Sequence, residues 1–324
     1  MKRIFSLIII LIGLSILTYG LTYLLPSDPV EVLIDTLGLS HDPETIARLQ
    51  KEYGYDQPFW VQYFTWLKGI FHGDFGMSVK YTEPVRDVLG RKLPNTIRLA
   101  CSSFIMMIVI SFPLGILSAV YKNKVADYII RFLSFIGVSI PTFWFGMILI
   151  FILGVRLKLL PVAGFSSWKS IIMPTMTLGV TYSASYIRRI RAVMVEQLSE
   201  EYISGLKSRG VSKARIIFVH VLPNSLLSVI TMLGMSFGGL LGGTMIVETV
   251  FGWNGIGSAA MSAITARDYP VVMGGVLVLG LIFSLIMLLV DIVYAFVDPR
   301  IKAQYEGKRK EKKVPDVGTA KGGA

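Results

Sequence analysis

The stretch YPVVMGGVLVLGLIFSLIMLLV occupies residues 269–290 and contains no charged side chain. As a helix it is long enough to cross the hydrocarbon core of a membrane, which takes about 20 apolar residues. Five more charge-free stretches meet or approach this length, at residues 4–25, 99–121, 132–155, 170–187 and 221–247. The sequence therefore predicts an all-α polytopic membrane protein with six transmembrane helices, the last of them continuing to residue 297.

The composition of the chain supports this class and excludes several others. Of the 324 residues 53% are apolar and only 16% are charged, where a soluble domain has about 25% charged residues. A mean hydropathy of +0.63 excludes a soluble globular enzyme and a disordered chain. The single cysteine, Cys101, excludes a disulfide scaffold. With only three histidines beside it, no metal site is predicted.

The net charge of +11 is distributed unevenly along the chain. If the N-terminus is cytoplasmic, six spans place most of the 32 basic residues in cytoplasmic segments, as the positive-inside rule requires. Both termini are therefore predicted to be cytoplasmic, and the positive charge needs no nucleic-acid partner. We interpret residues 1–25 as a retained first helix, because Leu24-Leu25-Pro26 lacks the small residues of a signal-peptide cleavage site.

Residues 26–96 form a long predicted extracytoplasmic loop with two amphipathic helices. One helix is predicted to begin at Asp42 and to end at Gly54, and the other to follow Pro58. The second carries aromatic side chains at helical spacing, which suits the membrane interface. We interpret this loop as a structural cap over the bundle, with direct contact to a substrate as the alternative.

The second large segment between spans, residues 188–223, is cytoplasmic in this topology. A short helix is predicted over residues 200–208, and Gly210 is predicted to end it in the left-handed conformation. Ser212 can cap a second short helix, with Val211 and Ile216 placed as a hydrophobic staple. The basic residues 299–324 after the last span are predicted to form a disordered cytoplasmic tail.

The fifth span contains several glycines four residues apart. Such spacing lets the backbones of neighbouring helices approach closely in a membrane. The glycines serve either packing within this chain or a dimer seam or pore lining, and the sequence leaves both interpretations open. These helix-packing and pathway candidates are Gly234, Gly238, Gly239, Gly242 and Gly243.

The sequence lacks the motifs of several enzyme classes. It contains no G-x-x-x-x-G-K-[ST], no H-E-x-x-H and no G-x-S-x-G. Ionisable residues are nearly absent from the predicted spans, Asp291 being the exception, which disfavours an ion-coupled secondary transporter. That transporter and an intramembrane hydrolase are the alternatives to a transport pathway without its own energy source. The cytoplasmic helix pair is then the place where a separate motor would attach.

The cytoplasmic segment resembles the EAA loop of ABC-importer permeases, whose pattern is E-A-A-x3-G-x9-I-x-L-P. Gly210, Leu222 and Pro223 match this pattern in identity and spacing, and His220 replaces the isoleucine. Ser204-Gly205-Leu206 occupies the E-A-A positions, a departure typical of the dipeptide, oligopeptide and nickel branch. Further stretches resemble the first permease subunit of that branch: YDQP (55–58), GDFG (73–76), SIPTFW (139–144), GIG (255–257), RDYPVV (267–272) and DPRI (298–301).

This resemblance implies a type I permease domain over residues 97–298, preceded by the first span and the outer loop as added scaffold. It implies a homologous second permease, two ATPase subunits that bind ATP and Mg, and an extracytoplasmic solute-binding protein. No cofactor is expected on this chain. The expected location is the plasma membrane of a bacterium or an archaeon. Residues 201–210 would act as the lever that couples to the ATPase. The implied coupling residues are Glu201, Ser204, Gly205, Leu206, Lys207, Arg209, Gly210, Leu222 and Pro223.

The substrate class is left open by the sequence. Members of this branch carry dipeptides, longer peptides, glutathione or chelated nickel. Residues 242–248 and the Phe143-Trp144 pair resemble nickel-type members, and peptide-type members are nearly as similar. We expect a peptide, with nickel as the alternative.

Overall fold

The computed structural model describes residues 2–24, 30–32, 34 and 38–297, and the predicted basic tail lies outside them. In this part of the chain the regular structure is helical. The helices are α1 (Lys2–Tyr23), α2 (Pro43–Tyr53), α3 (Phe59–Phe71), α4 (Val85–Val120), α5 (Val125–Ser139), α6 (Thr142–Leu149), α7 (Ile172–Leu198), α8 (Glu201–Ser208), α9 (Leu222–Val250), α10 (Ile256–Thr265) and α11 (Tyr269–Val297). Wider π-helical turns continue α6 over Ile150–Arg156 and lead into α9 over Ile216–Val221.

Among the described residues, four segments are long and apolar enough to cross a membrane. They are Phe5–Tyr23, Val85–Val120, Met232–Val250 and Tyr269–Val293. A fifth span results if α5 and α6, which meet at an angle of 99°, are counted together. The remaining predicted span, residues 170–187, coincides with the first part of α7. Polar side chains make this helix less apolar than the other spans. The hydroxyls of Thr177 and Thr181 bond to carbonyls one turn back, which lets a polar helix sit among apolar neighbours.

Two predicted spans differ from the helices that contain them. The span predicted from residue 99 lies within α4, which already begins at Val85, because charged residues interrupt hydropathy without ending a helix. The predicted span 132–155 corresponds to most of α5, to α6 and to the π-helical turns after it, and the chain bends by 99° between α5 and α6. Pro141 explains the bend: it disfavours helical geometry at the residue before it, and Ile140 has φ −82° and ψ 125°.

The centre of the bundle is the seam between α4 and α7. Two glycines make it narrow: a methyl group on Gly115 would lie 2.8 Å from the Ile190 side chain, and one on Gly179 would lie 2.9 Å from Met106. Small residues at a helix contact let the backbones approach and gain packing contacts. The seam thereby joins the middle of the membrane bundle to the C-terminal end of α7, from which α8 follows.

Helix α3 packs on α1 through aromatic side chains, and α2 precedes it in the chain. Asp42 caps α2 by accepting a hydrogen bond from the Thr45 amide, and Gly54 ends it with φ 70°, as predicted. The ring of Tyr63 on α3 lies 5.8 Å from that of Tyr19, and its hydroxyl is 2.8 Å from Ser15 Oγ. The aromatic face of α3 is therefore engaged with α1.

Candidate coupling site

The short helix α8 is defined by its two ends. It follows α7 after a break at Ser199 and Glu200, the latter with extended backbone. At its C-terminal end Gly210 has φ 72°, which confirms the predicted left-handed conformation. The Val211 amide donates to the Leu206 carbonyl at 3.1 Å and the Gly210 amide to the Lys207 carbonyl at 3.0 Å. These bonds satisfy carbonyls that a helix end otherwise leaves open.

One face of α8 is anchored and the other is free to bind a partner. Ile203 is buried, and Leu206, one turn further on, is partly buried in the same apolar cluster as Met194 and Ile216. The remaining predicted coupling residues of this segment lie on the exposed side. They are Glu201, Ser204, Gly205, Lys207, Arg209 and Gly210. One side of α8 is therefore packed against α7 and the turn after Gly210, and the other side is exposed.

The chain returns to the membrane bundle through a capped turn. Ser212 Oγ accepts a hydrogen bond from the Arg215 amide at 3.4 Å, so Ser212 is the N-cap of this turn, as predicted. Ile216 and Val211 join the cluster under α8, in agreement with the predicted staple. Pro223 stands in the first turn of α9, directly after the π-helical turns of Ile216–Val221. Leu222 is half-buried beside it, so the predicted coupling residues divide between α8 and the start of α9.

A buried acidic residue, Asp127, binds to α7 before the start of α8 and was not predicted. The carboxylate of Asp127, in the first turn of α5, accepts hydrogen bonds from Ser118 Oγ at 2.6 Å and from the Asn123 amide at 2.9 Å. Arg191 on α7 binds both of its oxygens. The sequence places Arg191 in the predicted cytoplasmic segments as a basic residue and predicts no partner for it. The pairing joins residues far apart in the chain, which no local pattern indicates.

The five glycines of α9 do not share one environment. A methyl group on Gly234 would lie 2.6 Å from Val290 of α11, and one on Gly238 would overlap the Phe283 ring. Gly239 and Gly243 face Tyr182 of α7, whose hydroxyl donates to the Gly239 carbonyl at 2.6 Å. Gly242 is exposed and has open space before it. Four of the glycines therefore contact this chain's own helices, and among the five Gly242 alone has open space where a Cβ would stand.

A second buried acid, Glu248, lies inside α9 and corrects the expectation that the spans contain almost no ionisable residue but Asp291. Its carboxylate accepts from Thr96 Oγ1 at 2.7 Å and from the Ser258 amide at 2.9 Å. Thr96 in turn accepts from the Ile256 amide at 2.8 Å. These bonds fix the start of α10 to α4 and α9. Asp291 itself is half-buried in α11 and has a partner.

The loop before α4 is tied to the start of α11 by a third buried acid. Asp268 Oδ2 accepts from Ser78 Oγ at 2.5 Å and from the Lys80 amide at 3.0 Å. Burial, together with the negative charges of Asp268 and Glu83, raises the pKa of the Tyr81 phenol. The outer ends of α4 and α11 are therefore held in one fixed arrangement with this loop.

Comparisons with known proteins agree with this architecture. Residues 111–303 match the family model of the binding-protein-dependent transport system inner membrane component, and residues 1–100 match the model of its N-terminal region. The chain is 35% identical to the glutathione transport system permease protein GsiC of Escherichia coli strain K12 over 301 residues, which covers 93% of this chain and 97% of GsiC. It is 34% identical to the dipeptide transport system permease protein DppB of the same strain, over 93% of this chain and 98% of DppB.

A solved structure shares the fold. A chain of the inward-facing MetNI methionine ABC transporter superposes with a TM-score of 0.52 at 20% sequence identity, over 65% of this chain and 96% of that chain. The family matches and the two relatives, together with this helical architecture, decide the assignment. The chain belongs to the family of binding-protein-dependent transport system inner membrane components and is a permease subunit of an ABC importer.

Proposed function

We propose that this permease, paired with a homologous second permease, forms the path by which short peptides cross the membrane. Two separate ATPase subunits would drive transport, and a solute-binding protein would deliver the substrate from outside. The observation that carries the substrate class is the identity of 34–35% over 93% of the chain to permeases named for glutathione and for dipeptides. Glutathione is itself a small peptide, so one substrate class covers both relatives.

The coupling element in this proposal is residues 201–210. The exposed side of α8 would bind an ATPase subunit, while Ile203 and Leu206 hold the opposite side to the bundle. Because the apolar cluster also contains Ile190 and Met194 of α7, a displacement of α8 would be transmitted directly into α7. Through the narrow seam at Gly115 and Gly179 the same displacement would reach α4. The chain needs no nucleotide site of its own for this role.

The proposed topology has six spans, with both termini in the cytoplasm of a bacterium or an archaeon. The four long apolar segments and the bent α5–α6 pair supply five, and α7 supplies the sixth. Its length of 27 residues is sufficient for a span. The first 25 residues and the outer loop would be scaffold, and residues 97–298 would form the transport domain. In this arrangement α8 faces the cytoplasm and α3 lies at the outer surface.

Reconstitution tests this proposal directly. The permease is co-purified with its partner permease, ATPases and binding protein and placed in liposomes. Uptake of labelled dipeptides, tripeptides, glutathione and histidine-chelated nickel is then measured with and without ATP. We expect ATP-dependent uptake of one or more peptides that also requires the binding protein. Uptake by this chain alone, driven by an ion gradient, would contradict the proposal, and uptake of nickel alone would replace the substrate class.

A further inference from the structure

A cavity of about 530 Å³ lies behind α8, between the end of α4, the last turns of α7 and the chain that follows Gly210. Much of its wall is apolar and includes Val195, Leu198 and Val211. Its volume falls within the range of pockets that bind small molecules, roughly 300–1,000 Å³. Lys207 of α8, together with Val211 and Ile216 from the cluster that anchors this helix, borders the space.

Three lysines from different segments surround the cavity. Lys122 comes from the turn after α4, Lys207 from α8, and Lys213 from the turn after Gly210. Within the described part of the chain none of the three forms an ion pair, and none of the lining residues is acidic. The Lys213 ammonium lies 5.5 Å from the centroid of the Tyr121 ring, so it is directed toward the turn that carries Lys122.

Unpaired ammonium groups beside an apolar wall select a ligand with two parts. An anionic group would neutralise the lysines, and an apolar chain would cover the wall. Tyr121 and Val125, on either side of the same turn, are exposed apolar residues at 46% and 74% accessibility, which is the surface expected where lipid reaches the protein. A basic pocket between helices at the cytoplasmic membrane surface is suited to anionic lipid headgroups.

We propose that this cavity binds an anionic phospholipid of the cytoplasmic leaflet, with its phosphate between Lys122, Lys207 and Lys213 and an acyl chain along Val195 and Leu198. The proposal rests on the proposed topology, which places α8 on the cytoplasmic side. A lipid in this position would fill the space behind the coupling helix. Anionic lipid would then hold α8 in one orientation relative to α7. Coupling between the ATPase and the membrane helices would therefore depend on the lipid composition of the membrane.

Binding of defined lipids to the purified full-length chain in neutral detergent tests this proposal. The probe is dioctanoyl phosphatidylglycerol, compared with dioctanoyl phosphatidylcholine and with glycerol phosphate, and bound molecules are counted by native mass spectrometry. The variant K122Q/K207Q/K213Q removes the basic ring. The matched control K51Q/K68Q/K169Q removes three exposed lysines from other segments. A third variant, Val195→Phe, keeps the lysines and fills the apolar part.

We expect the basic-ring variant to bind phosphatidylglycerol more weakly by about fivefold per lysine, on the order of 100-fold in all. The control triple variant should bind as the wild type does, and Val195→Phe should lose the lipid. Equal losses in the two triple variants, or equal binding of phosphatidylcholine, would overturn the proposal. Full competition by glycerol phosphate at equal concentration would indicate a free-phosphate site instead.

A second measurement separates lipid from an ATPase segment as the occupant. Phosphatidylglycerol binding is repeated on the complex assembled with its ATPase subunits. Retained binding supports the lipid, whereas loss on assembly would assign the cavity to the ATPase contact and overturn the proposal. Because lipid binding is measured without ATP both on the isolated chain and on the complex, these outcomes do not depend on whether the transport assay succeeds.

Discussion

Arg191 on α7 grips the buried carboxylate of Asp127 with two hydrogen bonds, from Nε to Oδ1 at 2.6 Å and from Nη2 to Oδ2 at 2.7 Å. Asp127 is fully buried, and the Arg191 side chain is 18% exposed. The pair fastens the turn between α4 and α5 to the segment of α7 that leads to the coupling helix. In the proposed coupling, a displacement of α8 would therefore reach α4, α5 and α7 together.

Replacing Asp127 by Asn should destabilise the chain strongly. The substitution keeps the shape of the side chain but leaves Arg191 without its counter-charge, and breaking a buried pair costs about 3–5 kcal/mol. Thermal unfolding in detergent measures the loss. The matched control is Asp87→Asn, which breaks the exposed pair Arg86–Asp87 and should cost about 1 kcal/mol or less.

The exchanged variant D127R/R191D tests whether the ion pair alone stabilises this site or whether the other hydrogen bonds to Asp127 also contribute. We expect no recovery, because the Asn123 amide can only donate, so it suits a carboxylate at position 127 and would be left without an acceptor beside a guanidinium. Recovery of wild-type stability would show that the charge pair alone matters. Equal losses of stability in Asp127→Asn and Asp87→Asn would show that the buried ion pair stabilises the chain no more than the exposed one.

The hydrogen bonds that hold the start of α10 to Glu248 are expected to depend on Thr96. Thr96→Val keeps the side-chain volume but removes the donor to Glu248 and the acceptor for the Ile256 amide. Each buried group left unpaired costs about 1–3 kcal/mol. Hydrogen exchange should show faster opening at the start of α10. Thr265→Val is the control, since the Thr265 hydroxyl bonds only to the Met261 carbonyl at an exposed site. Unchanged exchange in Thr96→Val would mean that packing alone holds α10.

Gly238 and Gly242 should respond differently to the same substitution. A methyl group at Gly238 would overlap the Phe283 ring, so Gly238→Ala should push α9 from α11 and cost about 1–3 kcal/mol. Gly242 has open space inside α9, so Gly242→Ala should not destabilise the chain and should favour the helix by about 0.5–1 kcal/mol. Adding Phe283→Leu should partly restore the Gly238→Ala variant. If Gly242→Ala instead destabilises the assembled complex alone, its exposed face lies against the second permease.

Local rules in the sequence predicted the local structure of this chain well. Asp42, Gly54 and Gly210 occupy the predicted cap and left-handed positions, because a cap depends on a few neighbouring residues. The 99° bend at Pro141 could not be predicted from hydropathy, which does not register the direction of a helix. Glu248 was missed for a different reason. Its partner Thr96 lies 152 positions away, and only the folded chain brings them together.

The topology is expected to follow the distribution of basic residues. In a Cys101→Ser background, single cysteines replace Lys51, Lys169 or Lys207, all of which are exposed. An impermeant thiol reagent applied to intact cells should label positions 51 and 169, and position 207 should react only after the membrane is opened. Outside labelling at position 207 would invert the topology. It would also remove the cytoplasmic leaflet as the source of lipid for the cavity.

The coupling role of α8 is expected to depend on the backbone at Gly210. Its φ of 72° is a conformation that side chains disfavour by roughly 1–2 kcal/mol, and β-branched side chains disfavour it most. A Cβ at Gly210 would meet no neighbouring atom, so the strain is purely conformational. Gly210→Val should therefore leave expression and membrane insertion nearly normal. Uptake should fall steeply, because α8 would be presented to the ATPase at a changed angle.

Gly205 provides the matched control on the same exposed surface. It also has open space, but it lies within α8, where alanine favours the helix over glycine by about 0.5–1 kcal/mol. Gly205→Ala should keep both the complex and uptake. Uptake, ATP hydrolysis stimulated by loaded binding protein, and yield of detergent-stable complex are measured together for both variants. Normal uptake in a well-expressed Gly210→Val variant would exclude this turn as the coupling element, and loss of expression together with uptake would assign Gly210 to folding alone.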